Sequence, residues 1–389
     1  MCFFKKEKHL LRKWRTCMKF RIEKKALLEL LLPASAASTN KNSLPALEGL
    51  LFTVEGDTLT ICGYDLEKGV RTQGTVYDTQ DGAVVINAQR ITSIVRNFSD
   101  CDVEFSCDER NYVEINGGQA QFKIHGLPAD AFPSLPELGN DKSFDISQNI
   151  LKEMIQSTVF AVAQSDARPI LCGELFKIEG TKLTVVALDN FRLAFREESY
   201  AVKNNEDFFS VVIPGRALTD LVKVLTDTDE TAHVELTKKY VVFSLGNIML
   251  FTRLLEGEYL DYSRVIPSQN KIFVSIETIP FLSSVERASL LVDEKLKTPL
   301  RCNFNGNTLM ISCSTQYGRV NDLIDTVKQG EDIEIGFNNK YLFEAIRACR
   351  EDKIRAELST PLMSMVIKPD KEREDGSFLY LVLPCRLKD

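Results

Sequence analysis

The chain has 389 residues, 44% hydrophobic and 26% charged, with a mean hydropathy of −0.11. That is room for two to four domains with cores of their own, and no apolar run approaches the ~18 residues that span a membrane. The net charge of −7 and pI of about 5.4 exclude a wholly basic nucleic-acid coat. A local basic face stays open, because the field near a site depends on where charges sit.

Residues 1–17, MCFFKKEKHLLRKWRTC, carry six Lys/Arg, one Glu and the only tryptophan, Trp14. Leu10-Leu11 is too little for the apolar core of a secretory signal. The segment reads either as a basic nucleic-acid arm or as a disordered N-terminal extension ahead of Met18, and we expect the extension. A first module follows. A strand opens at Phe20 in FRIEKKALLELLLPASAA and runs into a helix over 23–37. Then comes the hairpin LLFTVEGDTLTICGYD, turning at Gly56, then VVINAQRITSIVRNF with a helix over 87–100, then the strands of VEFSCDERNYVEIN.

The same order returns twice. Phe144 opens a strand and a helix over 147–163, followed by ELFKIEGTKLTVVALD turning at Gly180, a helix over 214–227 and HVELTKKYVVFSLG. Phe273 opens a strand and a helix over 279–292, followed by CNFNGNTLMISCST turning at Gly306, a helix over 338–351 and RAELSTPLMSMVIK. The turn glycines stand 124 and 126 residues apart. Glycine after Asn or Glu between alternating β-branched runs is a strong hairpin signal. LPADAFPSLPEL (127–138) and LLEGEYLDYSRVIP (254–267) close the first two copies. The chain therefore reads as α+β, with three tandem copies of one helix-plus-sheet domain over 18–140, 141–267 and 268–389. Polar linkers fall near 139–142 and 268–271. Solenoid repeats are shorter, so these are globular domains.

The ten cysteines form no CxxC, and His9, His125 and His233 are scattered. A zinc cluster is not expected, nor any cofactor. Most of the cysteines sit in apolar patterns, which suits a reducing cytosol and a cytoplasmic protein. There is no GxxxxGK[ST], GxSxG or HExxH, so no enzyme is expected. Asp189 beside Arg192 could imitate a catalytic pair. Its repeat counterpart Asp65 makes it a turn cap instead.

MKFRIEKKALL at 18–28, SLPALEGLLF at 43–52, LPADAFPSLPEL at 127–138, ALDNFRLAF at 187–195 and LPCRL at 383–387 resemble the bacterial DNA polymerase III beta subunit, the replicative sliding clamp family. The resemblance covers residues 18–387. It implies a homodimeric ring of six clamp domains, helices lining the hole and sheets outside, that encircles duplex DNA and slides without reading sequence. It implies a processivity factor that is a non-catalytic subunit of its holoenzyme. The implied partners are the replicative polymerase subunit, a clamp loader and other clamp-binding-motif proteins, and no membrane. Phosphate contacts carry no sequence information and are salt-sensitive, so loose contacts suffice where residence comes from closure.

By that resemblance, Lys41, Arg96, Arg168 and Arg216 contact DNA. The six expected helices hold 11 Lys/Arg against 9 Asp/Glu, a modest excess. Arg216 and Lys223, like Lys340 and Arg347, are seven apart and share a face. Local i,i+4 pairing, Arg216–Asp220 and Lys340–Glu344, is the structural alternative. The resemblance also implies a partner-peptide cleft from Arg168, Leu171, Leu188, Asn190, Phe191, Arg192, Leu193, Leu260, Val265, Leu362, Ser364, Leu381, Leu383, Pro384, Cys385 and Arg386. Aliphatic residues would form an apolar slot there, and Arg192 and Arg386 would fix the peptide's direction. It places Phe122 and Ile124, on an edge strand, against Leu290 and Leu291 of a second subunit. Such an edge invites aggregation unless paired.

Overall fold

A computed structural model describes residues 17–38, 44–139, 142–165, 167–203, 208–293 and 298–387. The expectations for residues 1–16 and for Lys41 lie outside the described residues. The described residues form two compact units, one drawn from within 1–148 and 223–254 and the other from within 149–222 and 255–389, so the middle repeat contributes to both.

Six α-helices occur among the described residues: α1 (Lys24–Ser35), α2 (Ala88–Arg96), α3 (Gln148–Gln156), α4 (Gly215–Val224), α5 (Thr278–Ser289) and α6 (Asn339–Ala348). In α2 the buried positions Ala88, Ile91, Thr92, Ile94 and Val95 fall on one face at helical spacing. Asn87 caps α2 by accepting from Arg90 N, and Asn338 caps α6 by accepting from Tyr341 N at 3.2 Å. The third helix ends at Gln156, seven residues short of the expected 163. There the Ser157 and Thr158 hydroxyls both donate back to the Met154 carbonyl, at 2.9 and 2.8 Å. Such bonds compete with the helical ladder, and the chain continues as a 3₁₀ turn, Val159–Ala161.

The repeat is visible atom by atom. Gly56, Gly180 and Gly306 have φ of +59°, +59° and +54°. Each is the first residue of a two-residue hairpin, where a left-handed backbone matches the strand twist. At the other end of each hairpin, Asp65, Asp189 and Thr315 fold the next turn. Asp65 Oδ1 accepts from Glu67 N and Lys68 N at 3.0 and 2.7 Å. Asp189 Oδ1 accepts from Phe191 N and Arg192 N at 2.7 and 3.0 Å. Thr315 Oγ1 accepts from Tyr317 N at 3.2 Å. Asp189 is thus the turn cap expected from Asp65.

The pairings of Met18–Glu23 with Asp102–Cys107, Lys68–Thr75 with Ile248–Arg253 and Arg192–Glu198 with Gly376–Val382 are antiparallel. In the first unit, one sheet runs Tyr77–Gln80, Met18–Glu23, Asp102–Cys107, Tyr112–Gly117, Ala120–His125. It covers a core of Phe20, Phe52 and Phe105, whose rings stack at 4.6 and 5.5 Å. A second sheet joins the first repeat to the middle one where Lys68–Thr75 pairs with Ile248–Arg253. The second unit holds a thirteen-stranded sheet, in which Arg192–Glu198 of the middle repeat pairs with Gly376–Val382 of the third.

Candidate functional site

The strand Arg192–Glu198 begins at the turn that Asp189 caps, and it runs against Gly376–Val382 with Leu193 opposite Leu381. This pairing brings Leu171, Leu188, Leu193 and Leu381 into one buried cluster with Ile170, Leu175 and Val366. Four of the expected cleft residues therefore share one buried apolar cluster. Leu188 and Leu193 are also plain core. Above them the expected residues are open to solvent: Phe191 is 51% exposed and Leu362 71%, while Leu260, Val265 and Leu383 are exposed too. Asn190 and Arg386 are exposed, and Ser364, Pro384 and Cys385 half-buried. The Leu383 amide donates to the Phe191 carbonyl at 2.8 Å, tying these two exposed residues together. Arg168 Nη2 donates to Asn190 Oδ1 at 3.3 Å.

Arg192 departs from expectation. It is only 7% exposed. Its Nε meets Asp189 Oδ2 at 3.1 Å and its Nη1 meets Glu344. The guanidinium also lies against the rings of Phe160 and Tyr341, at 5.4 and 4.7 Å. A cation neutralised by two carboxylates and covered by two rings offers no free charge to a peptide. Arg192 therefore braces the wall, and Phe191 stacks on the same Tyr341 ring at 5.4 Å. Glu344 is the other half of this correction, since its ion pair is with Arg192 rather than Lys340 in its own helix.

The C-terminal segment is part of the fold. Pro384–Cys385 pairs with Ile333–Phe337, and a Cβ on Gly336 would meet Leu387 Cδ2 at 2.6 Å. Next to that cluster, Glu174 is fully buried beside Leu175. Its Oε2 lies 3.2 Å from Thr158 Oγ1, and its Oε1 has no partner. Burial holds its carboxyl well above the usual carboxylate range. The equivalent positions of the other two repeats, Leu50 and Leu300, are buried leucines.

The candidate phosphate contacts Arg96, Arg168 and Arg216 are exposed, as are Lys223, Lys340 and Arg347. Arg347 lies over the Phe343 ring at 5.4 Å. The dimer candidates are also placed. Ala120–His125 ends its sheet and pairs only with Tyr112–Gly117 among the described residues. Phe122 on it is 38% exposed and rests on Phe98 at 5.7 Å, while Ile124 packs on the core of its repeat. In the third repeat, Leu290 is 82% exposed, and Leu291 Cδ1 lies 3.9 Å from where a Cβ on Gly318 would sit.

Three family models match in tandem: the DNA polymerase III beta subunit N-terminal domain over 18–136, its central domain over 145–261 and its C-terminal domain over 263–386. The beta sliding clamp of Bacillus subtilis is 30% identical over 381 residues, covering 95% of this chain and all of that protein. The chain belongs to the DNA polymerase III beta subunit family. The crystal structure of the DNA polymerase sliding clamp from Bacillus subtilis superposes with a TM-score of 0.88 at 29% identity, over 95% of this chain and 100% of that one. The Pseudomonas aeruginosa sliding clamp bound to griselimycin gives 0.87 at 26% identity, with the same coverage. The fold is accordingly the α+β, three-domain clamp fold of the family. No helix among the described residues is long and apolar enough to cross a membrane.

Within this family frame, sequence reasoning missed Tyr341 and Phe160 and gave Glu344 to Lys340, whereas all three hold Arg192 in place. Tyr341 and Glu344 sit on α6, about 150 positions from Arg192 in the chain, so no local pattern links them.

Proposed function

We propose that this DNA polymerase processivity factor works as a head-to-tail dimer closed around duplex DNA, tethering the replicative polymerase through the slot above Leu171, Leu188, Leu193 and Leu381. One observation carries the reading. Both internal junctions pair the last strand of one repeat with the third hairpin strand of the repeat before it. That leaves one strand of each kind unfilled among the described residues, Ala120–His125 in the first repeat and the Gly318–Asp325 stretch in the third. Two copies satisfy both edges at once, and a closed cyclic assembly removes the aggregation hazard of an open edge. Arg96, Arg168, Arg216 and Lys41 are the proposed phosphate contacts. Screened contacts of that kind let a closed ring slide. The chain supplies no chemistry in this reading, so a clamp loader opens and closes it in the cytoplasm. Other proteins carrying a clamp-binding motif compete for the slot.

The test is retention on DNA. The protein loaded on nicked circular DNA should stay bound in high salt and be lost on linearisation, and equal retention on both forms would overturn the ring. For the cleft, Leu362→Asp should abolish stimulation of the polymerase while leaving the melting transition and DNA retention unchanged. Full stimulation would move the docking site elsewhere. A point substitution is the cleaner probe, because removing 384–389 also strips a paired strand from its sheet.

A further inference from the structure

The internal junctions also fix a register. Thr252 lies opposite Lys68 at the first and Val382 opposite Arg192 at the second. The hairpin pairs Tyr64–Gly69, Leu188–Leu193 and Ser314–Arg319 make Lys68, Arg192 and Gly318 equivalent. The pairs Val113–Ile124, Val241–Thr252 and Met365–Val382 make Ile124, Thr252 and Val382 equivalent. We infer that a second copy of this chain docks with Ile124 opposite Gly318, Lys123 opposite Arg319 and Phe122 opposite Val320, so that each closing junction carries a like-charged pair. This inference rests on the dimer reading above.

The two faces of that junction differ. On one, Phe122 against Val320 replaces Leu250 against Val70 and Tyr380 against Ala194, so that pair is apolar at all three junctions. On the other, Lys123 against Arg319 stands where the internal junctions have Phe251 against Gly69 and Leu381 against Leu193. Lys123 is already bonded to Glu114 at 2.8 Å in its own sheet. Both Lys123 and Arg319 are exposed in the single chain. Like charges directly opposite on paired strands destabilise the pairing. The closing junctions are therefore held by backbone bonds and one apolar face, with repulsion on the other face. They are the weakest seams in the assembly, and salt should tighten them.

The experiment measures the monomer–dimer Kd of the full chain by sedimentation at 50 and 500 mM salt, for the wild type and Arg319→Glu. Arg319→Glu should tighten the dimer about tenfold at low salt, since repulsion becomes attraction at both junctions, and its dimer should loosen as salt rises while the wild type tightens. The direction is diagnostic. A dimer governed only by the net charge of −7 would be weakened by two further negative charges per subunit. An Arg319→Glu protein that dimerises less well, with an unchanged melting transition, overturns the register while leaving the ring intact. A wild type that stays monomeric at every concentration overturns both. Phe122→Cys with Val320→Cys should give a covalent dimer under copper–phenanthroline oxidation, and Phe122→Cys with Arg319→Cys should not. The reverse pattern also overturns the register.

Discussion

The two internal junctions use one strand pairing and different chemistry. At the first, the tip of the Phe251 ring abuts Gly69, so close that a Cβ there would stand 2.2 Å from Cζ. At the second, Leu381 faces Leu193, and the neighbouring Arg196 is buried between carboxylates. Arg196 Nη2 meets Glu153 Oε1 at 2.9 Å and Glu198 Oε1 at 2.5 Å. Across the seam itself, Arg350 of the third repeat binds Gln156 of the middle one at 2.8 Å and lies 3.8 Å from Glu153, and Arg192 meets Glu344. Shape closes the first seam, while charge adds to packing at the second. A buried charge is costly to orphan and a close-packed glycine is costly to fill, so each seam has its own way to fail.

The largest expected effect comes from breaking the charged seam. Arg196→Met leaves Glu153 and Glu198 without their shared cation and should cost about 3 kcal/mol. Chemical denaturation checks this, and an unshifted midpoint would mean that the buried cation adds nothing to the packing beside the second junction. Next comes the shape seam. Gly69→Leu drives a side chain into the Phe251 ring and should cost about 2 kcal/mol, read by the same measurement. A neutral result would show that the strands can part there without loss.

The smallest effect sharpens the comparison between repeats. Glu174→Leu restores the residue type that Leu50 and Leu300 supply elsewhere, and Thr158 keeps its bond to Met154. Glu174 has a folded pKa above its ordinary 4.5, so the folded state keeps a proton that the unfolded chain releases. Its contribution is complete below that value and is lost as pH rises toward the folded pKa. The wild type should therefore lose stability relative to Glu174→Leu between about pH 5 and 7, by ~1 kcal/mol or more. Parallel stability curves for the two proteins would show that the carboxyl ionises equally in both states.

Much of the fold was legible because it is local and written three times. Gly56, Gly180 and Gly306 announce two-residue turns through a backbone requirement that any copy must meet. Asp65 predicts Asp189 for the same reason. The apolar spacing of α2 and α6 is a property of contiguous residues. Helix ends were less legible, as at Gln156, because a hydroxyl that bonds backward looks in sequence like any other serine or threonine.

The cleft divides along the same line. Its proposed leucines could be found from their segments, but whether each is buried or exposed depended on the strand partner that arrives from nearly 190 residues away. Arg192 shows this most plainly. Sequence offers a cation three residues after an aspartate, and only tertiary structure brings Glu344, Tyr341 and Phe160 to it and takes its charge out of reach. The chain's own order of residues determined the repeat, the turns and the amphipathic helices, since those are set by dihedral preference and periodicity over a few positions. Long-range pairing decided which strand edges are filled, which charges are spent inside and which remain outside, because those follow from register between segments that sequence alone does not align.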